Sequence, residues 1–442
     1  MGGGFGLRRR FGEESVSDTP GFHKVVLPSG LTVIGEEMGS VRSHAVGVWV
    51  LVGSRHEAPA DSGMSHFLEH MVFKGTEKRN AFEIAYSLES VGGHLDAFTG
   101  REQTCFLGRA LEEHLPLTVE VLADLVLAPQ LAPDDVAKEK KVILDEIHQY
   151  EDTPDDRVHD LFADVVLNGH PLGNRILGSE ETVTAFTPDA VRQYHDAHYT
   201  APNLLVAIAG RFDWTRFVGL VSDRFAPAPR GTAIRSEARP AGGRNVVHHE
   251  KDLAQQYLCI GAPGLRQEHP DRYPLVLLST LLGGGMSSRL FQRVREQEGL
   301  AYSIYTYSDS YRDAGIFCAA MSVLPDHGRR ALQITLEEFE RIATEGVPRD
   351  ELESAKAQLK GNLLLGLEST SNRMSRIARS ETYFGRILSV DEVIAEVEAI
   401  APEDVMRVAA SLLARDRLSL VALGSSAGRA YRQADLTLGA AA

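Results

Sequence analysis

Cysteine is scarce in this sequence. There are three, Cys105, Cys259 and Cys318, in 442 residues, and each lies in a strand-like apolar run. They read as buried free thiols in a reducing compartment, not as a disulfide framework or a metal cage. Long apolar runs are missing too, and nothing approaches the roughly 20 residues of a membrane-spanning helix. Basic charge is in deficit: 46 Lys and Arg stand against 61 Asp and Glu, a formal net charge of −15. That argues against a nucleic-acid partner and allows a mild attraction for basic peptides. The N-terminal Leu7-Arg8-Arg9-Arg10-Phe11 lacks the apolar segment of a twin-arginine leader, and Glu13 and Glu14 make it too acidic for a mitochondrial presequence. Residues 1–20 are expected to be a disordered arm. The expected location is the bacterial cytoplasm ahead of the mitochondrial matrix, without membrane attachment.

What remains is ordinary globular composition, 43% hydrophobic and 24% charged, in a chain too long for one small core. Residues 24–36 read as a hairpin, 43–53 as a buried strand, 93–109 as a glycine-punctuated hairpin, and 204–210 as a buried strand. Helical patterns cover about 81–91, 112–128, 134–150, 156–167 and 187–199. The Pro- and Gly-rich stretch 226–243 reads as a linker. The second half then repeats the first. Thr187-Pro188-Asp189-Ala190-Val191 resembles Ala401-Pro402-Glu403-Asp404-Val405 (402 − 188 = 214), and the strand ending at Gly210 resembles the one ending at Gly424 (424 − 210 = 214). Pro133-Asp134-Asp135 resembles Pro348-Arg349-Asp350 (348 − 133 = 215). Near-constant offsets predict a duplicated α/β domain, with a first domain at 21–225 and its copy at 244–430.

The chemistry concentrates in His66-Phe67-Leu68-Glu69-His70. Two histidines four apart share one helix face and can reach one metal ion, and Glu69 beside them is free to act as a base. The bland alternative is two surface histidines on an amphipathic helix; the apolar Phe67, Leu68 and Met71 argue for a half-buried one. Asp61-Ser62-Gly63 is expected to cap this helix with its side chains. The copy, 214 residues on, has Thr280, Gly283 and Gly284 at the matching positions, so only one half carries the motif. A catalytic metal needs a third protein ligand. Glu139 and Glu146, two turns apart on one helix, qualify, but the residues alone leave open whether they are merely solvated acids.

The string from Gly53-Ser54-Arg55 through Gly63-Met64-Ser65-His66-Phe67-Leu68-Glu69-His70-Met71-Val72-Phe73-Lys74-Gly75-Thr76, with a glutamate 76 positions after His70 (146 − 70 = 76), resembles the pitrilysin family of zinc peptidases. It is similar to the branch of mitochondrial processing peptidase and its bacterial relatives, over about 24–425. The resemblance implies an α+β fold, an α/β sandwich of two duplicated domains, each a mostly antiparallel sheet packed against helices. It implies one Zn²⁺ per chain on His66, His70 and Glu146, Glu69 as the base, and Glu139 as an assisting acid. Arg295 and Tyr302, seven apart in the second half, match a pair that the family uses to hold the substrate backbone and stabilise an oxyanion. The strand with Asp96, Ala97, Phe98 and Thr99 matches its substrate-binding edge; Asp96 stands where the family often has asparagine. The implied activity is cleavage of extended peptides or unfolded segments by a homodimer, or by a heterodimer with a paralogue. A presequence-processing subunit and a non-catalytic scaffold of the same fold are the alternatives.

Overall fold

The computed structural model describes residues 14–16, 21–234, 238, 245–426 and 428–436. The rest of the expected N-terminal arm and most of the second half of the expected linker lie outside the described residues. In chain order the first half forms β1 (Glu14–Val16), β2 (Phe22–Val26), β3 (Thr32–Glu37), β4 (Ser43–Val50), α1 (Met64–Val72), α2 (Ala81–Glu89), β5 (His94–Thr99), β6 (Thr104–Leu111), α3 (Leu115–Leu127), α4 (Pro133–Glu151), α5 (Pro154–Val166), α6 (Glu180–Ala185), α7 (Pro188–His198), β7 (Leu204–Gly210) and α8 (Trp214–Arg224). The second half forms β8 (Val246–His249), β9 (Gln256–Pro263), α9 (Arg272–Gly283), a π-helical segment at Phe291–Gln297, β10 (Ala301–Ser310), β11 (Gly315–Val323), α10 (Gly328–Thr344), α11 (Arg349–Gly366), α12 (Thr370–Phe384), α13 (Val390–Glu398), α14 (Pro402–Leu412) and β12 (Ser419–Leu423).

These elements group into two compact units that interleave in sequence. Unit 1 takes the described residues up to Ile147, with those of Asn174–Ser236 and Leu364–Ser389; unit 2 takes His148–Gly173, with the described residues of Glu237–Leu363 and those from Val390 onward. Each half of the sequence therefore lends one helix to the other unit, α5 to unit 2 and α12 to unit 1.

The sheet of unit 1 runs β1-β2-β3-β7-β4-β6-β5. Its pairs are antiparallel except β3 with β7. Unit 2 repeats the pattern as β8-β12-β9-β11-β10, again with one parallel pair, β8 with β12. The duplication is thus carried in strand order and in the one parallel pair as well as in sequence. Gly283 is needed for the close helix–strand approach: a Cβ there would sit 2.4 Å from the Thr306 nitrogen on β10.

Both faces of each sheet are covered. In unit 1 one face buries Val46, Val48, Val206 and Ile208 with Phe67 and Leu68 of α1, Leu122 of α3 and Phe217 of α8. The other buries Ile34, Ala45, Trp49, Leu205 and Ala207 under Met374, Ile377 and Ala378 of α12. A strand buried on both faces reads as a continuous apolar run, which is the pattern of Leu204-Leu205-Val206-Ala207-Ile208-Ala209. Ser369 caps α12 by accepting from the Asn372 N–H, and Gly385 ends it in the left-handed conformation at φ 65. Ion pairs tie α12 to the sheet, Lys24 to Glu381 at 2.6 Å and Arg373 to the buried Glu36.

Truncating Ile377 removes fully buried atoms contributed from the far end of the sequence. Ile377→Ala is expected to destabilise unit 1 by about 2–5 kcal/mol. Urea unfolding followed by Trp49 fluorescence checks this; no shift in midpoint would mean that α12 does not support this sheet.

Candidate metal centre

The helix α1 starts differently from its sequence expectation. Its N-cap is Gly63, and neither Asp61 nor Ser62 supplies a capping side chain to it. The Gly63 and Ser65 N–H groups donate instead to Glu57 Oε2 and Oε1, both at 2.7 Å. The chain turns tightly there: Gly63 has φ 93, and a Cβ would come within 2.7 Å of the Leu177 carbonyl oxygen. Glu57 is buried, and desolvation pushes its pKa up to about 7 although the two backbone bonds pull it down. The Ser65 hydroxyl in turn bonds the Tyr194 hydroxyl of α7 at 2.9 Å. No motif in the sequence marks Glu57 or Tyr194 for this task.

On α1 the His66 and His70 rings lie 4.6 Å apart, centroid to centroid. The Nε2 atoms of both face Glu146 of α4, at 3.6 Å from Oε1 and 3.7 Å from Oε2. These gaps are too wide for hydrogen bonds. They are close to the roughly 3.3 Å that separates two ligands bound at about 2.0–2.1 Å to a tetrahedral zinc. Two imidazole nitrogens and one carboxylate oxygen are also a common catalytic donor set for that ion. The residues fit the metal that the sequence resemblance implies.

Glu139, two turns before Glu146 on α4, is only 3% exposed. It accepts from His70 Nδ1 at 2.9 Å and from Lys74 Nζ at 2.7 Å. A carboxylate on the far nitrogen of a liganding histidine fixes its tautomer and turns Nε2 toward the metal position. Burial alone would lower the His70 pKa, but the bond to Glu139 and the nearby Glu146 and Glu69 outweigh it and hold it raised. Burial likewise would raise Glu139, and the bonds to His70 and Lys74 outweigh it and bring it down. His66 is the opposite case: burial, then the His70 charge, push its pKa down to about 3.

Glu69 points to a different neighbour. Its Oε2 accepts from the Thr99 hydroxyl at the end of β5. Burial holds its pKa above the ordinary carboxylate value, against the Thr99 bond, which lowers it. A raised carboxylate in reach of a metal position suits proton transfer. Asp96, Ala97, Phe98 and Thr99 all lie on β5, the terminal strand of the sheet. Asp96 Oδ1 accepts from the Ala97 N–H. The other two expected residues are in unit 2. Arg295, on the π-helical segment, places its guanidinium carbon 5.8 Å from the Tyr302 ring centroid, and Tyr302 is 75% exposed at the start of β10. The matching helix of unit 2, α9, carries no histidine or acid.

A model described as insulinase (peptidase family M16) matches residues 32–180, and one described as the peptidase M16 inactive domain matches 185–359. An uncharacterized zinc protease of Streptomyces coelicolor is 39% identical over 91% of this chain and 89% of its own length. The uncharacterized zinc protease YmxG of Bacillus subtilis is 40% identical over 88% and 95%.

The chain belongs to peptidase family M16, the pitrilysin family.

As in other M16 folds, two domains each pack a mixed sheet against helices. The crystal structure of a peptidase M16 inactive domain from Pseudomonas fluorescens aligns with TM-score 0.87 over 93% of this chain at 19% identity. A protease from Helicobacter pylori aligns with TM-score 0.84 over 91% at 21% identity. The M16 relatives named above are called zinc proteases, which supports a metalloprotease here. Among the described residues no helix of this M16 chain is long and apolar enough to cross a membrane.

Glu139→Ala is expected to weaken metal binding about 10–100-fold by freeing the His70 ring. Competition against a chromophoric chelator measures it, and an unchanged affinity would show that packing alone orients His70. In the metal-free protein, His70 should take up its proton first as pH falls, while His66 stays neutral through that range. Histidine NMR titration reads this directly; the reverse order would contradict the pairing with Glu139.

Proposed function

We propose that this M16 chain is a zinc-dependent endopeptidase that hydrolyses peptide bonds in extended peptides or unfolded segments, in a bacterial cytoplasm. The observation that carries the reading is the convergence of His66 Nε2, His70 Nε2 and the Glu146 carboxylate, with Glu69 on the same helix bonded to Thr99 at the end of the terminal strand β5. Zinc held by those three side chains supplies a Lewis acid for the scissile carbonyl and lowers the pKa of water toward about 7. Glu69 then takes the proton of the attacking water and delivers it to the leaving amine. The Thr99 hydroxyl holds Glu69 in place between steps. The backbone of β5 offers the substrate a strand to pair with, so recognition favours extended chain over particular side chains. Asp96, already bonded to its neighbour's N–H, adds negative charge at this edge and favours a basic residue nearby.

Arg295 and Tyr302 enter as the donor pair that the family resemblance implies, gripping the substrate backbone and the developing oxyanion. The active species in this reading is a homodimer. A non-catalytic scaffold is disfavoured because every ligand and the base are retained.

Cleavage of a quenched fluorescent basic peptide, sensitive to chelator and restored by zinc, is the direct test. Glu69→Gln should retain zinc while losing about 10²–10⁴-fold in turnover; wild-type turnover in that variant would remove Glu69 as the base. Tyr302→Phe should lower kcat about 10²–10³-fold if its hydroxyl serves the oxyanion. Unchanged kcat would confine Tyr302 to packing.

A further inference from the structure

Unit 2 holds a second convergence of metal-ligand atoms, sharing no residue with the first. Cys259 is on β9 and Cys318 on the adjacent β11. Cys318 stands opposite Gly261 and Ala320 opposite Cys259, so the two cysteines are offset by two positions and project from the same face of the sheet. That face is covered by α5, whose Val158, Leu161 and Phe162 bury against it. The same helix brings His159, with Nδ1 3.7 Å from Cys259 Sγ. One ligand atom from each of the three residues lies within 4.8 Å of the others. Both cysteines are fully buried, while Tyr305 at the edge of the cluster is 40% exposed and opens a way in.

We infer that Cys259, Cys318 and His159 form a second metal site, one that takes Zn²⁺ through three protein ligands. Two sulfurs and an imidazole select a soft or borderline cation, and the absence of a carboxylate from the set disfavours Mg²⁺ and Ca²⁺. Charge decides among the soft ions. Two thiolates and a neutral imidazole cancel a divalent cation completely, whereas Cu⁺ would leave a net negative charge in a buried place. The outer contacts suit it as well. His159 Nε2 lies 2.8 Å from the Tyr305 hydroxyl, which can accept its N–H and so leave the Nδ1 lone pair facing the thiols. In the metal-free state the Tyr307 hydroxyl, 2.9 Å from Nδ1, serves that lone pair. On binding, each thiol releases its proton to solvent, two S–H bonds are replaced by two S–Zn bonds, and the Tyr307 hydroxyl gives up Nδ1. No oxidant or reductant is involved. The ion would pin α5, which arrives from the first half of the sequence, across β9 and β11. The chain would then hold two zinc ions where the family resemblance implies one.

Cobalt distinguishes the two sites, because only thiolate ligation gives intense near-ultraviolet charge transfer and His66, His70 and Glu146 contain no sulfur. The reduced, metal-stripped full chain is titrated with Co²⁺, and zinc is counted separately by elemental analysis. A thiolate band saturating at one equivalent is expected, retained in His66→Ala and lost in Cys259→Ser and in Cys318→Ser, with two zinc ions per wild-type chain and one in each variant. No thiolate band in the wild-type chain, with one zinc that His66→Ala abolishes, overturns the inference and leaves the peptidase reading intact. Should a cysteine variant not fold, the wild-type band and its retention in His66→Ala still decide. Cys259→Ser should keep peptide cleavage, because it touches none of the residues of the first site.

Discussion

The Glu139 carboxylate lies almost entirely out of water, among the apolar residues by which α4 packs. A charge there has to be met by opposite charge and hydrogen bonds, or several kcal/mol are lost. His70 near the end of α1 and Lys74 in the turn just after it meet it together. That one requirement sets three things at once. It fixes α1 against α4, it commits the His70 proton to Nδ1 so that Nε2 stays available, and it places Glu146, seven residues further along α4, opposite both imidazoles. The ligand geometry is therefore a consequence of neutralising a buried acid one layer behind it.

The other end of α1 is governed by a similar need. Two unsatisfied N–H groups at its first turn are taken by Glu57 from an upstream segment, and Ser65 is tied to α7. With its start held by Glu57 and its end by Glu139, the helix has little freedom to slide, and Glu69 falls beside Thr99 of β5. The terminal strand and Glu69 are thereby joined through a single hydroxyl. In unit 2 the equivalent helix α9 carries no histidine or acid, and the buried Cys259 and Cys318 lie on the opposite face of the sheet, under α5. Duplication kept the sheet order and let the two copies diverge in which face carries reactive side chains.

The exchange of α5 and α12 couples the two halves of the sequence. Trp49, Leu205 and Ala207 are covered by Met374 and Ile377, and Cys259 and Cys318 by residues of α5. Neither half of the sequence contains all the apolar surface its own sheet needs. Interleaving of this kind makes the contiguous domain edges suggested by composition a poor guide to which residues share a core.

Much was determined by the sequence alone, and for a local reason. Helix and strand periods repeat within a few residues, so the shared face of His66 and His70, the two-turn spacing of Glu139 and Glu146, the hairpin at 93–109 and the repeat near 214 residues were all readable from spacing. The third ligand was not: the residues left Glu139 and Glu146 undecided, and the family resemblance singled out Glu146. Tertiary structure decided the rest, because it depends on which distant segments pack together. Glu57 replaced the expected Asp61 and Ser62 as the cap, Lys74 joined Glu139, Thr99 met Glu69, and His159 came to two cysteines that their apolar runs had marked as buried free thiols. Backbone geometry dictates which side chains share a face, but the charge or thiol that a face will meet is fixed only when burial forces each polar group to find its partner across the fold.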